Sequence, residues 1–232
     1  MALAPAPKYP LFISLEAKHC LVVGLGAVGE RKLTTLLASC PASVLALDTR
    51  AAEDLAPTMR DLLDAPSVTF CQRPFAPQDI EGKFLVLATT SDAATNSAIA
   101  TLCREKNVLC NSATAPTEGD VFLPALARGK HLALALSTSG ASPALARRWR
   151  RELEEWLGPR ERTVALMARL RPLVLALPGP AEEHARILQS IAAAPVGQWL
   201  ADSDLASCRE KLAKLLPPVL HDNLTELLHD LA

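Results

Sequence analysis

Cys20-Leu21-Val22-Val23-Gly24-Leu25-Gly26-Ala27-Val28-Gly29-Glu30 decides the fold of this chain. A short apolar run enters a turn with three glycines, and a stretch of helical period, Glu30 to Ala38, leaves it. In that setting each glycine serves a separate need, with a tight turn at Gly24, close approach of backbone to a pyrophosphate at Gly26, and close helix-on-strand packing at Gly29. The helix start adds unpaired N–H groups and a positive dipole end. Gly24, Gly26, Ala27, Val28 and Gly29 are therefore expected to cradle the phosphates of a dinucleotide. Asp48 ends the next apolar run, with Thr49 beside it. A carboxylate there accepts hydrogen bonds from ribose hydroxyls and repels a 2′-phosphate, which favours NAD over NADP. Arg50, two residues on, weakens that preference. The plainer alternative leaves the glycines a turn and Asp48 a surface cap.

Outward from this turn, strand candidates alternate with helical stretches. Cys20–Val23, Ser43–Leu47, Val68–Cys71, Phe84–Ala88, Val108–Cys110 and His131–Ser137 read as strands; Glu30–Ala38, Ala51–Leu63 and Ala93–Lys106 read as helices. Such alternation predicts an α/β fold with a Rossmann-type, doubly wound parallel sheet. Thr89-Thr90-Ser91-Asp92 falls where the fourth strand meets its helix. Two readings stay open for it, lining of the nicotinamide half of the site by Thr89 and Thr90 or a plain helix cap by Asp92. After Ser142-Pro143 the character changes, and helices are expected at Pro143–Leu157, ended by Gly158-Pro159, then Glu161–Leu177, Ala181–Ala193, Pro195–Leu200, Leu205–Leu215 and Leu220–Leu231. The last third is thus expected to be all helical, and the domains to span 1–112, 113–157 and 158–232.

Half of the residues are hydrophobic and the formal charge is −1 with both signs mixed along the chain, so no electrostatic pull towards nucleic acid or an anionic membrane is expected. No apolar run approaches the roughly 20 residues that cross a bilayer, and Met1 to Pro10 lacks the apolar core of a secretory signal. A soluble, cytoplasmic protein is expected. The six cysteines are scattered without a C-x-x-C pair, and they read as buried thiols rather than disulfides or a metal site. His131 reads as an edge histidine, and His184, His221 and His229 as residues of exposed helical faces.

Two later segments are unusual for a simple cofactor domain. One is Cys110-Asn111-Ser112-Ala113-Thr114-Ala115-Pro116, followed by Asp120-Val121-Phe122-Leu123-Pro124; the other is Ser137-Thr138-Ser139-Gly140-Ala141-Ser142-Pro143, running on to Arg147. The second sets hydroxyls and a glycine between a strand end and a helix start, a setting suited to carboxylates. With Tyr9-Pro10-Leu11-Phe12, the glycine turn through Arg31-Lys32, Ala88 to Asp92 with Asn96, and Cys110-Asn111, the chain resembles the precorrin-2 dehydrogenase/sirohydrochlorin ferrochelatase family. The resemblance covers Tyr9 to about Leu157 and, loosely, the helical tail. It implies NAD-dependent oxidation of precorrin-2 to sirohydrochlorin, with iron insertion in some members. It also implies a homodimer built through a central dimerisation segment, and a small helical C-terminal domain. Ser137, Thr138, Ser139, Ser142 and Arg147 become candidates for the substrate, and Asn111, Thr114 and Asp120 for catalysis.

One departure matters. Members that perform both steps usually carry an aspartate where this chain has Thr114. A carboxylate there takes a proton as hydride leaves or as metal enters, and threonine does neither at neutral pH. Asp120 is the nominated stand-in, against the alternative that it caps a turn. The expected outcome is a dehydrogenase with weak or absent ferrochelatase activity. A non-catalytic NAD- or tetrapyrrole-binding protein of the same fold is the alternative. Arg147, Arg148, Arg150 and Arg151 either attract substrate carboxylates or form a solvated or paired helix face.

Overall fold

The computed structural model describes residues 7–115, 117–201, 205–229 and 231. Pro116 of the first unusual segment, most of the Met1 to Pro10 start and Asp230 of the expected last helix lie outside them. The chain divides into two compact units, Lys8–Leu123 and a second containing Pro124–Ala232.

In the first unit β1 (His19–Val23), β2 (Ser43–Asp48), β3 (Val68–Gln72), β4 (Leu85–Ala88) and β5 (Leu109–Ser112) form a five-stranded sheet in the order β3-β2-β1-β4-β5, every pair parallel. The side-chain period of two splits β1 between the sheet's faces. Cys20 and Val22 join Leu33 and Leu36 of α1 (Ala27–Leu37) and Met59 of α2 (Pro57–Leu63), whereas Leu21 and Val23 join Ile99, Ala100 and Cys103 of α3 (Ala93–Glu105). Both faces are covered, so the strands read as near-continuous apolar runs. None of the six cysteines forms a disulfide, and Cys20, Cys103, Cys110 and Cys208 are buried.

The second unit opens with an antiparallel hairpin of β6 (Ala125–Arg128) and β7 (Ala133–Leu136). β6 was not expected, because Ala-Leu-Ala-Arg carries no β-branched or aromatic residue to mark a strand. It forms by pairing with β7, and the turn between them has tertiary support: Glu161 accepts hydrogen bonds from the His131 and Leu132 N–H groups (2.8 and 3.0 Å). A side chain at Gly129 would collide with that carboxylate.

The expected helix end at Gly158-Pro159 is wrong. A single α4 runs from Pro143 to Leu175, with Pro159 and Pro172 inside it, and the expected division at 157–158 falls within this helix. Both prolines are exposed, so water serves the carbonyls they leave without donors, and Arg160 caps the Trp156 carbonyl at 2.9 Å. Leu166, Leu170 and Val174 repeat every fourth residue along α4. They pack on α5 (Ala181–Ala193), α6 (Val196–Ala201), α7 (Leu205–Ala213) and α8 (Leu224–Leu228). The spacing of His184 to Leu188 and Ile191 puts the histidine on the buried stripe of α5, not on an exposed face. Among the described residues no helix is long and apolar enough to cross a membrane.

Leu170 is fully buried in this helical core, and its replacement by alanine is expected to cost about 2–5 kcal/mol. All three tryptophans (Trp149, Trp156 and Trp199) lie beyond Pro124. Urea unfolding followed by tryptophan fluorescence should therefore show a lowered midpoint for Leu170→Ala; an unchanged midpoint would contradict the packing described.

Candidate functional site

The carboxyl ends of the parallel strands open into a cleft of about 860 Å³. It lies where the strand order reverses between β1 and β4, the usual ligand position in an open α/β sheet. Gly24, Gly26, Ala27 and Val28 form its floor. Asp48, Thr49 and Arg50 follow from β2, Arg73 to Phe75 from β3, Thr89 to Asp92 from β4, and Ala113 and Thr114 from β5.

The glycines divide the work. Gly24 has φ +92°, and a Cβ on it would stand 2.7 Å from the Thr90 backbone. One on Gly29 would run into the Gly24 carbonyl oxygen. Gly26, the residue before α1, has nothing within 4 Å of where a Cβ would be. Its open side is room for a ligand, and the first N–H groups of α1 have no acceptor within the helix. The residues therefore fit a dinucleotide pyrophosphate.

Asp48 is buried, and its Oδ2 accepts from the Leu25 N–H at 2.7 Å. Arg50 takes the rest: Nε to Oδ1 at 3.0 Å, Nη2 to Oδ2 at 2.9 Å and its own N–H to Oδ1 at 2.9 Å. Burial opposes the charge of Asp48, but these hydrogen bonds and the guanidinium outweigh it and hold the carboxyl down at about 2. On the neighbouring strand end, Arg73 grips buried Asp79 with both Nη atoms (2.6 and 2.8 Å).

At the opposite end the Thr89 hydroxyl shares its proton between the Val23 and Gly24 carbonyls (2.9 and 2.7 Å). Fully buried Asn96 accepts from Thr90 N and Oγ1 (3.1 and 2.8 Å), and it donates to the Thr90 carbonyl and Thr114 Oγ1 (both 3.0 Å). Asp92 caps α3 through the Ala94 and Thr95 N–H groups. The Thr89 to Asp92 segment lines the cleft, and Asp92 caps the helix.

Thr114 faces the cleft, but the other two catalytic candidates are not part of its lining. Asn111 is buried, donates to the Val121 carbonyl at 2.6 Å and accepts from the Lys32 ammonium of α1. Burial, helped by the charge of Arg31, brings that lysine down to about 8. Asp120 is exposed in the turn before Val121. In the second unit Ser139 and Gly140 take positive φ, Thr138 Oγ1 accepts from the Ser142 N–H at 3.3 Å, and Ser142 caps α4 through the Leu145 N–H. Ser137 accepts from the Ser139 N–H. Arg148 and Arg150 pair with Glu152 and Glu154 one turn on. Arg147 is exposed and has no acidic partner among the described residues.

Sequence reasoning assigned no role to Arg73, Phe75, Asn96 or Lys32. Arg73 and Phe75 follow the carboxyl end of β3 in the same sheet. Asn96 and Lys32 carry part of the resemblance, but their partners Thr114 and Asn111 are distant in sequence.

Comparison with known proteins agrees with this geometry. Residues 11–125 match the family described as putative NAD(P)-binding, and residues 130–155 match the central segment of the sirohaem biosynthesis proteins, together more than half of the chain. A siroheme synthase of Methylococcus capsulatus is 34% identical over 160 residues, which are 68% of this chain and 32% of that protein. Siroheme synthase 3 of Aeromonas hydrophila is 32% identical over 204 residues, 87% of this chain and 42% of that protein. The chain thus spans about a third to two fifths of the length of these relatives. Among solved structures, SirC, a precorrin-2 dehydrogenase, shares the fold with a TM-score of 0.71 at 20% identity, covering 89% of this chain and 98% of that one. With the glycine turn, the Asn96–Thr114 rim and the Ser137–Ser142 loop in place, the chain belongs to the family of precorrin-2 dehydrogenases and siroheme synthases.

Proposed function

We propose that this chain oxidises precorrin-2 to sirohydrochlorin with NAD as acceptor, the dehydrogenase step of siroheme biosynthesis, and that it inserts iron weakly or not at all. The observation that carries the reading is one cleft lined both by the phosphate-binding turn and by Thr114, the position where the family usually has its aspartate. Gly26 and the start of α1 hold the pyrophosphate, Asp48 the ribose, and the Thr89–Thr90 backbone frames the other end. Bound there, NAD supplies an acceptor for the hydride. Ser137, Thr138, Ser139, Ser142 and Arg147 are assigned to the carboxylates of the tetrapyrrole.

The substrate gives up a hydride and a proton, and no carboxylate of the cleft is free to take the proton. Asp48 is occupied by Arg50, and Asp92 by the cap of α3. The protein's contribution is therefore positioning, which by itself supplies a large part of a rate, and the proton passes to water. Metal insertion displaces two pyrrole protons and suffers more from the same lack. Thr114 also favours a second reading, a protein that binds NAD or a tetrapyrrole without turnover.

The reading carries with it a cytoplasmic homodimer. Leu134 and Leu136 of β7 with Trp149, Leu153 and Trp156 of α4 line an apolar groove of about 550 Å³, and both tryptophans are exposed. A second copy is the occupant we assign to it, as Trp is favoured at the buried centres of interfaces.

Three outcomes are expected. Precorrin-2 with NAD yields sirohydrochlorin absorbance, and Thr114→Asp raises metal insertion by about tenfold or more; binding of both ligands without turnover would establish the second reading instead. Gly26→Ala, whose Cβ meets no protein atom, keeps the thermal stability but weakens NAD by about tenfold or more as the methyl fills the pyrophosphate's place. Equal affinity would remove NAD from this turn. Size-exclusion chromatography gives a dimer that Trp149→Glu with Trp156→Glu converts to a monomer, and a monomeric wild type would refute the assigned occupant.

A further inference from the structure

Asp48 stands where a carboxylate ordinarily selects against a ribose 2′-phosphate. Here its two oxygens already meet four donors: Arg50 Nε and Nη2 and the N–H groups of Arg50 and Leu25. An ionised carboxylate offers about four lone-pair sites, so a ribose diol finds no free acceptor until Arg50 leaves. The guanidinium is the partner able to move, because the Arg50 side chain is 46% exposed and that of Asp48 only 8%. The same wall carries the exposed Thr49 and the fork of Arg73, the latter held by Asp79. The charge that would repel a phosphate is thus cancelled at its source by a cation of the right shape to bind one.

We infer that Arg50 is the specificity-determining residue at this end of the cleft, and that the cleft takes a 2′-phosphorylated dinucleotide, NADP, as well as NAD. The inference rests on the dinucleotide reading above and extends it from NAD to NADP. With NAD, Arg50 swings outward and frees Asp48 for the ribose hydroxyls. With NADP, it turns from Asp48 to the phosphate and grips it with two N–H groups. Either ligand breaks the Arg50–Asp48 pair, so that cost falls on both and drops out of the difference between them. Discrimination is a difference of affinities, and here it is small.

Isothermal titration of the full chain with NAD⁺ and with NADP⁺ tests this. The two dissociation constants of the wild type are expected within about tenfold of each other. In Arg50→Ala, NADP⁺ weakens by about tenfold or more while NAD⁺ holds or tightens, so the ratio moves towards NAD. Added salt weakens NADP⁺ more than NAD⁺ in the wild type and loses much of that difference in the variant. A wild-type preference for NAD⁺ of about a hundredfold or more, or a ratio unchanged by Arg50→Ala, overturns the inference and leaves the dinucleotide reading standing. Binding of neither cofactor overturns both. Loss of the Arg50–Asp48 pair falls on both cofactors alike, so the ratio of affinities carries the test, and thermal unfolding checks that the variant is folded.

Discussion

The first unit depends on the fit of one backbone turn against one strand end. Gly24 lies so close to Thr90 that no side chain fits between them, Gly29 backs onto the Gly24 carbonyl, and the Thr89 hydroxyl bonds across to Val23 and Gly24. Three contacts between β1, α1 and β4 thus fix the turn before any ligand arrives. A phosphate meeting it finds its N–H groups already placed, and little ordering entropy remains to be lost on binding. The cleft lies between β1 and β4 because this is where the connections to either side diverge.

Around that floor the charges are matched locally. Asp48, at the end of β2, and Asp79, in the turn after β3, are both buried carboxylates, and each is answered by a half-exposed arginine, Arg50 and Arg73. In each pair several hydrogen bonds meet the carboxylate, which is what makes a buried charge tolerable. Because the arginines reach in from solvent while the carboxylates are held by backbone N–H groups, the anions are the fixed elements and the cations the adjustable ones. At this end of the cleft each buried carboxylate is thus paired with its own arginine.

The sequence made the sheet and its turn legible because their signals are local. Glycines at fixed offsets, apolar runs four to six residues long and an acidic residue at a strand end all sit within a few positions of what they specify. Tertiary support is not written that way. Gly158-Pro159 reads as a stop, yet α4 passes through it because both residues face water and the buried stripe beyond them continues the helix. The turn between β6 and β7 is held by Glu161, distant in sequence, and His184 is buried because its helix places it among leucines and isoleucines. Asn111 gave the right segment, but its part is to join Lys32 to the Val121 carbonyl rather than to face the cleft.

Thr114 shows how a site loses charge without losing shape. Asn96 uses all of its hydrogen-bonding capacity, accepting two bonds from Thr90, donating one to the Thr90 carbonyl and one to the Thr114 hydroxyl. That last N–H needs only an oxygen, and a carboxylate would serve as well as a hydroxyl, so the substitution leaves the rim bonded as before. What disappears is a negative charge and a proton acceptor at the edge of the cleft. In the proposed oxidation, hydride departure leaves one positive charge, relieved by a single proton that water can take. Metal insertion brings a dication onto the macrocycle and must remove two protons, so both of its demands fall on the missing group. In the proposed function the same threonine is therefore compatible with the oxidation and opposed to metal insertion.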